Sequence, residues 1–254
     1  MALTRWEQCN DLTFNCMILE TLKSLPSLQS LSIKFSNLFL ERNPRRLHGF
    51  SHLKSITIIN SFQGEKPASQ WADAKQLIHD NITHLEEISL STMSVVGVSV
   101  DLESVFLDGK WAKSFKKSRP ALRTLRLHDL IIPKNSHRAF PHFSNLTTIE
   151  FASPDDGIWH VMRASGVKLY NIFVSRATHG LVQYLLQYKG LEHFRLIWDY
   201  ALRLKHGEAE AQNYRSLLLS QGLPHHRDSL HTFETDIDSL QAYEWEANSR
   251  ALND

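Results

Sequence analysis

The chain has 254 residues, 42% of them hydrophobic and 22% charged, which fits a globular protein and excludes an intrinsically disordered one. Lys and Arg total 28 against 27 Asp and Glu, so at a net charge of +1 no broad field steers the chain to nucleic acid or anionic lipid. Its two cysteines are too few for a disulfide scaffold, and no run of about 18 apolar residues offers a membrane span.

Taken in chain order, residues 1–24 read as an N-terminal cap. The opening MALTRWEQCNDL lacks the apolar core of a signal peptide, so the cytoplasm or nucleus is expected. Cys9 and Cys16 are seven apart, which places both on one helical face as free buried thiols. The glycosylation sequons at Asn81 and Asn145 are read as chance.

From residue 25 to 235 one phrase recurs: Leu, two mostly polar residues, a bulky apolar residue, a variable one, and a second apolar residue. Its instances start at Leu28 (LQSLSI), Leu53 (LKSITI), Leu85 (LEEISL), Leu122 (LRTLRL), Leu146 (LTTIEF), Leu169 (LYNIFV) and Leu191 (LEHFRL). An eighth, Leu230–Phe233, fails at Thr235. Counting Leu102–Val105–Leu107 and Leu127–Leu130–Ile132 as well, the apolar triplet occurs nine times, against roughly three expected at random. A bulky apolar residue often precedes the Leu by three, as at Leu25, Phe50, Ile82, Phe143 and Tyr188.

The intervals carry helical text, with apolar residues three to four apart over 71–81, 101–118, 158–164, 180–188 and 207–221. Strand, loop and helix then repeat as about eight irregular units, followed by a C-terminal tail at 236–254. The Leu and the apolar residues at +3 and +5 alternate inward along a short strand. One such unit cannot bury its own apolar face, but a stack of them can. The predicted fold is α/β, a single solenoid in a horseshoe arc, with a parallel inner sheet and outer helices. An ordinary α/β domain with similar strands is the alternative.

Phrases such as LPSLQSLSI, FSHLKSITI, RPALRTLRL and FSNLTTIEF resemble the leucine-rich-repeat superfamily, closest to the degenerate repeats of fungal F-box/leucine-rich-repeat proteins. The resemblance covers about Leu25 to Thr235. The usual Asn or Cys eight places after the first Leu is replaced by Ser61, Met93, Leu130 or Asp199, so the backbone at the turns needs other partners. The resemblance implies that the repeats recruit a protein while an F-box docks a ubiquitin-ligase adaptor. Residues 1–27 hold no recognisable F-box.

Leucine-rich-repeat proteins usually bind on the inner sheet, and the residues at +2, +4 and +6 point there. These columns are small and bland at first: Ser30, Ser32, Lys34; Ser55, Thr57, Ile59; Glu87, Ser89, Ser91. The later ones carry Arg, His, Phe and Ile, and the partner-binding patch is read as Arg126, His128, Glu150, Phe173, Arg195 and Ile197. The plainer reading is a solvated strand surface with internal ion pairs such as Arg126–Glu150.

The phosphate-loop, GxSxG, HExxH and CxxC motifs are absent from the sequence. His48 with His52, His137 with His142, and His225–His226 beside Asp228 form no set of three or four ligands, so no metal, cofactor or catalytic residue is assigned. Asp155–Asp156 reads as a turn and N-cap. Lys110, Lys113, Lys116, Lys117 and Arg119 read as the wet face of a helix packed through Trp111 and Phe115. The expected function is a monomeric protein-interaction scaffold. Its possible setting is substrate recognition for an SCF-type ubiquitin ligase, with no nucleic acid, membrane or enzymatic role. The alternatives are an enzyme on another α/β fold, or a lineage-specific remnant.

Overall fold

Alternation of apolar and polar residues with a period of two builds a strand at every one of the eight recurring phrases. The computed structural model describes residues 19–35, 47, 49–60, 68–92, 98–99, 102–107, 120–128, 130–131, 134–151, 156–196 and 208–235. The strands are β1 (Ser30–Phe35), β2 (Ser55–Asn60), β3 (Glu87–Thr92), β4 (Val98–Ser99), β5 (Thr124–His128), β6 (Leu130–Ile131), β7 (Thr148–Phe151), β8 (Asn171–Val174), β9 (His193–Leu196) and β10 (Thr232–Thr235). Eight of them form one open sheet in the order β1-β2-β3-β5-β7-β8-β9-β10, and every pairing is parallel. The chain is thus α/β, with its main strands laid down in sequence order. The short β4 and β6 pair separately.

Register follows the phrase. Leu31, Ile56, Ile88, Leu125, Ile149, Ile172, Phe194 and Phe233 are aligned from strand to strand, as are Ile33, Ile58, Leu90, Leu127, Phe151, Val174, Leu196 and Thr235. From β2 to β9 these residues and the leading leucines are buried. At β10 they are only half-buried, because a terminal strand has a neighbour on one side alone. The phrase that fails at Thr235 still pairs in register with β9, since the ladder is made by the backbone and tolerates a polar side chain at the rim.

One backbone device sets the start of every strand of the main sheet after β1. Two consecutive N–H groups donate to the carbonyl just before the preceding strand: Glu86 and Glu87 to Lys54 at 2.8 and 2.9 Å, and Tyr170 and Asn171 to Thr147 at 2.8 and 3.0 Å. The same arrangement recurs at β2, β5, β7, β9 and β10.

Helices α1 (Ala68–Asn81), α2 (Leu102–Leu107), α3 (Asp156–Ala164), α4 (His179–Leu185) and α5 (Glu208–Leu217) lie between strands. All five fall on the segments read as helical from spacing; of 101–118, residues 108–118 lie outside the described residues. The triplet Leu102–Val105–Leu107 is therefore helix rather than strand. A 3-10 helix at Lys134–His142, which the spacing did not predict, inserts Phe140 beside Phe143 and Phe151, with ring centroids 6.0 and 6.1 Å apart. Ile158, Trp159, Met162, Leu181, Val182, Tyr184 and Leu185 bring the inner faces of α3 and α4 into the same core. None of the described helices is long and apolar enough to cross a membrane. Cys9, Cys16, the lysine cluster at 110–119 and the tail 236–254 lie outside the described residues.

Buried polar side chains serve the backbone at the starts of several phrases. Asn81 Oδ1 accepts from Leu53 N at 2.9 Å, while its Nδ2 donates to Phe50 O at 3.1 Å and Leu77 O at 2.9 Å. The Tyr184 hydroxyl accepts from Leu169 N at 3.1 Å and donates to Val167 O at 2.9 Å. His226 Nδ1 accepts from Leu191 N at 3.1 Å. Three leading leucines thus have their N–H captured by a side chain from further along the chain. Leu130, one of the residues in place of the Asn, is buried. Asn81 is buried and fully engaged, and Asn145 Nδ2 donates to Pro120 O at 3.0 Å, so both sequon side chains already serve the backbone.

Candidate partner-binding face

The face of the sheet opposite the core consists of the alternate residues. Its middle row runs Ser32, Thr57, Ser89, Arg126, Glu150, Phe173, Arg195, Glu234, one residue per strand. Ile56 and Ile58 on β2, Leu125 and Leu127 on β5, and Ile172 and Val174 on β8 are buried on the other face. The half-buried Thr57, Arg126 and Phe173 between them fix which way each strand presents its side chains.

Of the predicted patch, Arg126, Glu150, Phe173 and Arg195 stand side by side in this row. His128 lies on the same face of β5 as Arg126, two residues on. Ile197 lies outside the described residues.

Electrostatics divides the row. Arg126 Nε lies 3.2 Å from Glu150 Oε2, the cross-strand pair anticipated from the sequence, and Arg126 also binds Glu87 through Nη1. Glu150 Oε1 is 3.8 Å from His128 Nδ1, beyond hydrogen-bonding distance. Arg195 Nε meets Glu234 Oε2 at 3.2 Å, with the two side chains 42% and 63% exposed. That pair is in water and weak. Phe173 is half-buried between Glu150 and Arg195 and is the aromatic member of the row.

A polar row lies beneath. Asn171 Nδ2 donates to Thr148 Oγ1 at 2.8 Å, and His193 Nδ1 lies 2.5 Å from Thr232 Oγ1. Asn171 Oδ1 has no hydrogen-bond partner among the described residues. Sequence reasoning missed Glu87 and Asn171 as members of the site. Both stand at +2 of their phrases; Glu87 meets Arg126 diagonally, and Asn171 bonds Thr148, its direct neighbour in the adjoining row.

Of the histidines paired by spacing, His48 lies outside the described residues. His52 and His84 place their rings 5.0 Å apart, and His226 is in the core. Among the described residues no three His, Cys, Asp or Glu are grouped to hold a metal ion. Asp156 is the first residue of α3, and its Oδ1 accepts from Gly180 N at 2.8 Å, tying α3 to α4.

No family model, no curated protein and no solved structure matches the chain.

Proposed function

We propose that the chain is a leucine-rich-repeat solenoid that works as a protein-interaction scaffold, binding its partner on the exposed face of the parallel sheet between β5 and β10. The single observation that carries this reading is the middle row, where Arg126, Glu150, Phe173 and Arg195 stand next to one another on rigid strands. Arg and aromatic residues supply most hot spots in protein interfaces. Side chains held by a sheet lose little freedom on binding, which lowers the entropic cost of association. Substrate recruitment to an SCF-type ubiquitin ligase is the form of this role that the resemblance of the repeat phrases implies.

The test is co-purification with the tagged chain, wild type beside the double variant Phe173→Ala/Arg195→Ala. The expected outcome is a specific protein retained by the wild type and lost from the double variant, with unchanged circular dichroism. Recovery of the F-box-binding adaptor would extend the role to ubiquitin ligation. A specific partner that binds both forms equally would move the site off this face.

A further inference from the structure

At its strand, the last described unit, residues 208–235, is less well buried than the unit before it. Leu218 and Leu223 reach the core, but Leu230 and Phe233 are half-buried where their counterparts Leu191 and Phe194 are buried. Its phrase ends on Thr235, and its ladder is with β9 alone among the described strands. Within this unit His226 is 1% exposed and turns both ring nitrogens toward the unit before. Nδ1 accepts from Leu191 N at 3.1 Å, at the start of the phrase that builds β9, and Nε2 lies 3.0 Å from Leu185 O at the end of α4. One nitrogen must be bare and the other protonated, so a single neutral tautomer satisfies both. A second proton turns Nδ1 into a donor aimed at the Leu191 N–H and places a charge in the core. The titratable groups against the ring are Tyr188 and His225, with centroids 5.0 and 5.5 Å away. The Tyr188 hydroxyl donates to Leu169 O at 2.8 Å, so neither group offers the cation a negative partner. Asp228, two residues on, pairs with Arg227 at 3.4 Å, and both side chains are exposed. Asn81 and Tyr184 hold Leu53 N and Leu169 N in the same way, but neither side chain takes up a proton in mild acid.

We infer that His226 is an acid-operated latch: protonation of its ring releases residues 208–235 from β9 and α4 while the rest of the sheet stays folded. The latch does not depend on what the exposed face binds. Release withdraws Glu234 from Arg195 and opens the edge of β9. Burial holds the latched ring's pKa down to about 4, against 6.5 for a ring in water. The latch is therefore fully closed above about pH 6.5 and loosens progressively as pH falls toward 4. Opening is local because a unit at the end of the described stack has one neighbour to leave, whereas an inner unit has two.

The experiment is residue-resolved amide hydrogen exchange on the full chain at pH 7 and pH 5, each corrected for the intrinsic rate at that pH. Leu191, His231 and Thr232 report on the latch: His226 holds the first, and the other two donate to Glu192 O at 2.7 and 3.2 Å. Their protection should fall about tenfold or more between pH 7 and pH 5, while the amides of β5 and β7 keep theirs. His226→Gln should remove most of that pH dependence. Should this variant fail to fold, His193→Gln/His225→Gln/His231→Gln takes its place: it removes the other described imidazoles beside β9 and β10 and should retain the fall. An equal loss of protection in β5 and β7 would make the response global unfolding and overturn the latch. So would protection at Leu191, His231 and Thr232 that is indifferent to pH, an equal fall in wild type and His226→Gln, or a fall that disappears from the triple variant.

Discussion

His226 must remain an uncharged ring to hold its place. Its Nδ1 accepts from Leu191 N, which leaves the proton on Nε2, 3.0 Å from Leu185 O. Burial is the main force holding its pKa down to about 4, with the neighbouring His225 adding to it against the hydrogen bond to Leu185. The unfolded chain therefore binds more protons than the folded one between about pH 6.5 and 4, and stability falls as pH is lowered through that window. A depression from 6.5 to about 4 corresponds to roughly 3 kcal/mol. Urea unfolding of wild type and His226→Gln at pH 7 and pH 4.5 checks this: the wild type should lose more stability on acidification than the variant. Asn81 serves the same purpose without a proton to lose. Asn81→Ala strands the Leu53 N–H and the Phe50 carbonyl, at an expected cost of about 2–4 kcal/mol in urea unfolding at neutral pH. Burial also pushes the Tyr184 and Tyr188 hydroxyls well above the ordinary phenol range, so both remain donors throughout.

Between elements, α3 packs tightly against α4 at Gly180. A Cβ on Gly180 would lie 2.7 Å from Asp156 Oδ1 and 3.0 Å from its Cα, and the Cα is backbone that cannot swing aside. Gly180→Ala should therefore cost about 1–3 kcal/mol of stability, and Asp156→Ala should recover only part of it in a double-mutant cycle. The helices themselves were legible from apolar spacing, since packing on a sheet demands one apolar side. The 3-10 turn at Lys134–His142 was not, because Pro141 and the brevity of the segment hide any helical period. The polar side chains that capture the leading-leucine N–H groups were also hidden. They act over 28 residues for Asn81, 15 for Tyr184 and 35 for His226, beyond any local pattern. A faint signal did exist: Asn81 and His226 each stand four places before the next leading leucine, Leu85 and Leu230. On the exposed face, strict alternation made Arg126, Glu150, Phe173 and Arg195 readable. The diagonal reach of Arg126 to Glu87 was not, because which rotamer a long side chain adopts is settled only when the strands stand together.

At the scale of the molecule, the two faces of the sheet should respond oppositely to the same change. Ile172→Ala empties a fully buried site and should cost about 2–5 kcal/mol, whereas Phe173→Ala, one residue on, should cost much less. Thermal or urea unfolding of the pair reads the difference, and equal losses would mean the strand is turned over. The sheet is also open at both ends, so its stability should grade from the middle outward. Amide exchange should be slowest in β3, β5, β7 and β8 and fastest in β1 and β10, whose outer edges make no ladder bonds among the described strands.

Strand order that follows chain order has a consequence for how such a molecule changes over time. In the main sheet each described strand pairs with the strand of the unit before and the unit after, and each writes one letter into the middle row. Excising residues 146–168, the 23-residue span from one leading leucine to the next, would delete Glu150 and set Phe173 beside Arg126, while the inward positions would still meet apolar neighbours. Duplicating the same span would add a letter instead. The exposed face can thus be rewritten by unequal exchange of whole units, without the core being redesigned each time.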